Sequence, residues 1–81
     1  MTNTASESQI MQAIAEHLGL SPEDLERNSY LRDDLNLGPI ELNDLLVNLS
    51  QKFGISFDSE EVEDLQKVED LIVLVEDNLL D

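Results

Sequence analysis

The stretch "DDLNLGPIEL", residues 33–42, sets Gly-Pro at the mouth of a helix, a place where a reactive side chain could be expected, and offers no nucleophile there. Chemistry is scarce elsewhere too. His17 is the only histidine; it lies on the border of an apolar stripe with no cysteine or serine partner near it, so it reads as a boundary residue and not as a base or ligand. The acids of "DDLNLGPIELND" lack the alternating ligands, the sixth-place glycine and the closing glutamate of an EF-hand loop. Loose screening by divalent ions is expected of them, and no metal site. With no cysteine, the sequence has no disulfide framework, thiol chemistry or cysteine-based zinc site, and the redox compartment is left open. No catalytic pair can be assembled, so the chain is expected not to be an enzyme by itself.

Glycine and proline mark the elements around this junction. Ile10, Met11, Ile14 and Leu18 share one side of a helix from about 6 to 18, and Gly19 suits its left-handed stop. Ser21-Pro22-Glu23-Asp24 has a capping serine, a first-turn proline and an acid three places on, which predicts a short helical turn anchored by Leu25. Residues 27–37 keep no period, yet Tyr30, Leu31, Leu35 and Leu37 are too apolar for a free linker and are expected to pin a long loop to the core. Helix two follows, with Gly38 as N-cap, Pro39 at a position whose missing N–H would be unpaired anyway, and Glu41 complementing the dipole. Leu42, Leu45, Leu46, Leu49 and Phe53 form its inward stripe and Gly54 closes it.

Ile55-Ser56-Phe57 reads as a brief extended piece, and Asp58 with Glu61 has capping-box spacing for a short helix to about Leu65, with Val62 and Leu65 facing in. The final "VEDLIVLVEDNLL" holds an apolar run that alone could be a strand, but Val68, Leu71, Ile72, Val75 and Leu79 keep helical spacing over its length. No internal repeat or domain boundary interrupts the chain. The reading is an all-α bundle of three main helices and one short one, a single domain over 1–81 with residues 1–6 frayed.

An 81-residue chain buries only about 60–65% of its unfolded surface, so the core must be small. Hydrophobic residues at 41% and charged ones at 28% give a globular balance and not that of a disordered acidic tail. Nineteen acids against Arg27, Arg32, Lys52 and Lys67 leave a net charge of -15. Such a surface repels phosphate backbones and anionic lipid, which argues against nucleic acid and membrane as partners; it either favours basic protein surfaces or serves solubility alone. The leading "MTNTASES" lacks the basic start and apolar centre of a secretory signal, so a cytoplasmic location is expected.

Over nearly its whole length, from about 9 to 79, this layout resembles the acyl and peptidyl carrier proteins. "HLGLSPEDLERNSYLRDDLNL" is similar to the family's first-helix end and long loop, with Asp34-Leu35 in the place of an Asp-Leu step that precedes helix two. "ELNDLLVNLSQKFGISFDSEEVEDLQKVEDLIVLV" is similar to the run from helix two through the last helix, including Phe53 and Val68. In that family the junction reads Asp-Ser-Leu, and its serine hydroxyl receives 4'-phosphopantetheine from coenzyme A. Gly38, Pro39 and Ile40 stand in those places here. The resemblance thus implies a carrier fold without the covalent arm, and no phosphopantetheine cofactor is expected. Asp58-Ser59 is the only other Asp-Ser pair, but a glutamate follows and its helix is short, so both residues read as caps. Ser50 and Ser56 lack even that setting.

What remains is a surface. At about 100° per residue, Ile40 and Val47 point away from helix two's leucine stripe, and Glu41, Asp44, Asn48 and Gln51 lie around them. A short apolar strip with acidic and amide flanks suits a protein carrying a basic, partly hydrophobic patch, and in carriers this face meets partner enzymes. Ser50, Gln51 and Lys52 replace acids that carriers often have at the end of this helix, so partner identity does not transfer. The primary expectation is a monomeric carrier-like module that binds a protein through helix two. The alternatives are a working acyl carrier in fatty acid or lipid biosynthesis loaded at another serine such as Ser59, and a noncovalent binder of a fatty chain. The last is disfavoured because the core itself needs most of the apolar residues.

Overall fold

A computed structural model of the chain describes residues 7–79. Its helices are α1 (Glu7–Leu18), α2 (Pro39–Phe53), α3 (Ser59–Glu63) and α4 (Val68–Leu79), with one 3-10 turn at Pro22–Asp24 after α1. Among the described residues the only β pairing is an isolated antiparallel bridge between Tyr30 and Lys67. The expected fraying of residues 1–6 lies outside the described residues.

Both long loop-facing helix ends stop on glycine for a conformational reason. Gly19 and Gly54 have φ of +72° and +66°, a region where a Cβ is strained. At each end the following amide reaches back over the last turn: Leu20 N–H donates to Ala15 O at 2.8 Å and Ile55 N–H to Ser50 O at 3.1 Å. The otherwise unpaired carbonyls of the last turn are thereby satisfied.

The core is built from the stripes read in the sequence. Ile10 and Ile14 of α1, Leu45 and Leu49 of α2, and Val68, Leu71, Ile72 and Val75 of α4 are fully buried, each contributing about 1.5–3 kcal/mol by leaving water. Helix α1 lies between its neighbours and packs on both α2 and α4. Leu42 and Phe53 are only partly buried against this cluster, and Leu25 is its buried anchor after the 3-10 turn. The C-terminal segment is helix and not strand; Leu74 joins the buried set while Val73 stays exposed.

The loop between α1 and α2 is tied down by its backbone as much as by its side chains. Leu31 and Leu37 are buried and Leu35 partly so. Leu31 N–H donates to Gln66 O at 2.8 Å, Val68 N–H to Ser29 O at 2.9 Å and Glu69 N–H to Arg27 O at 2.9 Å, clasping the loop to the start of α4. Tyr30 departs from expectation: it is 42% exposed, and its ring meets Lys67, whose Nζ is 5.2 Å from the centroid. Its backbone is what the loop holds. Asp34 Oδ2 accepts from Tyr30 N–H at 2.7 Å, and Asn36 takes φ of +57°, which asparagine tolerates better than most side chains.

Two local expectations need correcting. Ser21 stands at the N-cap of the 3-10 turn, but its side chain makes no capping bond; its backbone O accepts from Asp24 N–H at 2.9 Å. Helix α3 ends at Glu63, before the expected Leu65, although Val62 and Leu65 both pack on the core. The capping-box spacing of Asp58 and Glu61 holds at the start of α3, where Asp58 N–H donates to Glu61 Oε1 at 3.3 Å.

Candidate functional site

The entrance to α2 is built as its residues dictate. Gly38 is the N-cap in extended backbone, φ -78°, and Pro39 is the first helical residue. Leu42 N–H closes the first turn on Gly38 O at 2.9 Å. Glu41 turns back so that its Oε1 accepts the Gly38 N–H at 3.0 Å, which satisfies an amide and sets a negative charge at the positive end of the helix. Nothing in the backbone requires glycine at 38; a Cβ there would come within 2.8 Å of that same Oε1, so a larger residue would have to push aside the end of the flexible Glu41 side chain. The junction presents a carboxylate and a proline ring, and neither Gly38, Pro39 nor Ile40 has a hydroxyl, thiol or amine.

Beyond the junction the structure places every singled-out residue of α2 on the solvent side except where noted. Ile40 is 74% exposed and Val47 47%. Asp44, Asn48 and Gln51 are exposed, and so is Glu41 although its carboxylate is engaged. Positions 40, 44, 47, 48 and 51 follow the three-and-four spacing of one helical face, opposite the buried Leu45 and Leu49.

Sequence reasoning missed what lies beside this face. Between α2 and α3 the surface sinks into a cleft of about 630 Å³, lined among others by Tyr30, Arg32, Pro39, Leu42 and Leu65. A second cleft of about 540 Å³ continues beyond it, reached by Val47, Gln51, Phe57 and Ser59. The count of core residues left little room for an enclosed cavity; both clefts are open to solvent. Their signal was non-local: Leu42, Val62 and Leu65 lean on the core without being covered. No group of three or more metal-ligating side chains is gathered among the described residues. His17 and the Asp33-Asp34 pair are exposed, and Ser59 sits exposed at the first position of α3.

The described residues thus form a small acidic helical bundle with an exposed outer side on α2 and clefts where α2 meets α3. The family model described as the phosphopantetheine attachment site matches residues 8–75. The chain is 31% identical over 72 residues to the acyl carrier protein of Chlamydia trachomatis, covering 89% of this chain and 94% of that one. It is also 35% identical to the acyl carrier protein of Renibacterium salmoninarum, over 84% of this chain and 89% of that one. A shorter match, 35% identical over 57 residues, covers 70% of this chain and 70% of the acyl carrier protein of Coprothermobacter proteolyticus. The chain belongs to the acyl carrier protein family.

Proposed function

We propose that this chain is a carrier-like binding module that works without a covalent phosphopantetheine arm and engages a protein partner through the outer face of α2. The observation that carries the reading is Pro39, which opens α2 where the resemblance to carriers calls for the modified serine, and whose ring has no oxygen to accept a phosphoryl group. Gly38 and Ile40 flank it in place of the acid and the leucine. The fold does not need the lost chemistry, because Pro39 starts the helix and Glu41 caps it.

On this reading Ile40 and Val47 supply the apolar contact, and Glu41, Asp44, Asn48 and Gln51 the flanking polar one. Apolar contact slows release and charge speeds approach, so the partner should carry a basic, partly hydrophobic patch. The module acts as a monomeric scaffold or regulator in the cytoplasm, not as an enzyme, in or near fatty acid biosynthesis. No helix among the described residues is long and apolar enough to cross a membrane.

The test is a measurement of mass. Expressed in its own host, the wild-type chain should show no increment matching phosphopantetheine. Given coenzyme A and a broad-specificity phosphopantetheinyl transferase, it should again stay bare, while Gly38→Asp combined with Pro39→Ser should gain one arm. The new Cβ at 38 displaces only the end of the flexible Glu41 side chain, and losing Pro39 costs about 0.4–1 kcal/mol through a freer unfolded chain, so the double variant should fold. An arm on the wild type would overturn the proposal and point to another serine, Ser59 first. A folded double variant that stays bare would mean that this junction is not presented as in carriers.

A further inference from the structure

The entrance to α2 is exposed, preformed and unreactive at once. Pro39 is exposed at the first position of the helix, Gly38 before it lies in extended backbone, and Ile40 beside it is 74% exposed. A pyrrolidine ring closes back on its own nitrogen, so it fixes the local backbone and adds little bulk outward. The Glu41 cap on Gly38 N–H and the bond from Leu42 N–H to Gly38 O hold the turn in place. A protein that reads this entrance therefore meets a shape already formed, with little ordering left to offset.

The family model that matches residues 8–75 is that of an attachment site, and the match spans this entrance. Attachment needs an acceptor oxygen that attacks the phosphorus of coenzyme A as adenosine 3',5'-bisphosphate leaves with the electron pair of the broken bond. Gly38, Pro39 and Ile40 offer only hydrocarbon and amide groups, so docking there has no forward step and the complex ends by dissociation alone. Charge favours that docking. An enzyme that holds coenzyme A must offset its phosphates with cations near the seat of the acceptor, and the net charge of -15, with exposed Asp33 and Asp34 before the entrance and Asp44 after it, speeds the approach.

We propose that this chain is a dead-end competitor of serine-bearing carriers: it occupies the enzyme that transfers phosphopantetheine from coenzyme A, stays unmodified, and so slows the modification of other chains. This rests on the reading of Pro39 as an inert replacement for the serine, and adds a regulatory activity to it.

The experiment follows by intact mass the rate at which a broad-specificity phosphopantetheinyl transferase with coenzyme A modifies an unmodified acyl carrier protein, with and without this full chain. Added at the carrier's own KM, the chain should about double the apparent KM for the carrier and leave kcat unchanged, as a chain that docks like a carrier does. Ile40→Arg should weaken the inhibition about tenfold. Val73→Arg, a like change at an exposed position of α4, should leave it as it was, and the pair separates contact at the entrance from net charge. No inhibition at about a tenfold excess of chain over carrier, a fall in kcat that added coenzyme A relieves, or inhibition equal in the two arginine variants would each overturn the proposal. The variant combining Gly38→Asp with Pro39→Ser tells this failure from failure of the reading beneath it. If that variant gains an arm while the wild type inhibits nothing, the reading of the junction stands and only dead-end docking falls; an arm on the wild type removes both.

Discussion

Ile40 and Leu45 are both aliphatic and five positions apart on one helix, and their environments assign them opposite duties. Replacing Leu45 or Leu49 with Ala removes a fully buried side chain and should cost about 2–5 kcal/mol. Ile40→Ala and Val47→Ala take away side chains that are mostly or half in water and should change stability by less than about 0.5 kcal/mol. Thermal melts of the four variants check this directly; melting losses at Ile40 and Val47 equal to those of the leucines would make them core residues and remove the proposed face. This division was legible in the sequence because a single helical period assigns inside and outside on α2. Tyr30 was not: it is held by its backbone, its ring stays at the surface and meets Lys67, a residue remote in the chain that no local pattern could nominate. The clefts escaped for a related reason: their floor is made of residues that are apolar and core-directed, and only the three-dimensional gap beside α3 leaves them uncovered.

At the scale of elements, the caps carried most of the information. Gly19, Gly38-Pro39 and Gly54 marked three helix ends correctly because their backbone or spatial demands are local. Helix α3 ended early because Asp64 and Leu65 turn back on Glu61 and Val62 to bring the chain to α4, a tertiary requirement that a run of acids and valine does not announce. Helix α4 starts at Val68, as the sequence reading had it, but the contact that caps it was not identified there: Asp70 Oδ2 accepts from both Gln66 N–H at 3.2 Å and Lys67 N–H at 3.0 Å. Asp70→Ala should therefore destabilise by about 0.5–2 kcal/mol, as the loss of a cap does. Gly54→Ala meets no neighbouring atom within 4 Å and should still cost about 1–2 kcal/mol because an L side chain is strained at its positive φ. Denaturant midpoints with unchanged slopes for both variants would confirm a local cause.

The whole molecule carries its net charge of -15 within extents of 36 × 29 × 19 Å. In dilute salt the screening length is about 30 Å and every acid feels most of the others, while at physiological ionic strength it falls to about 8 Å. The cations do little to offset this: Arg27 pairs with Glu7 at 2.8 Å and Lys52 with Glu16 at 3.5 Å, both pairs half in water and worth little. Melting temperature should rise as sodium chloride or magnesium is added from dilute to physiological strength, without saturating at one equivalent of metal. A melting temperature flat across that range would mean that self-repulsion is not what limits this fold.

The clasp that joins Arg27, Ser29 and Leu31 to Gln66, Val68 and Glu69 also orders events in time. A ribosome releases the loop first, then all of α2 and α3, and only afterwards the carbonyl and amides that complete the clasp. Until residues 66–69 have emerged, the loop leading into α2 has only its own short-range bonds, such as Leu37 N–H to Leu31 O at 2.9 Å, so its seat on the rest of the fold is fixed after α2 and α3 have been released. A chain released only as far as α3 would offer visiting proteins the helix and its locally capped entrance but not the loop in its final seat, and recognition that reads both would distinguish a chain in which α4 has docked from one in which it has not.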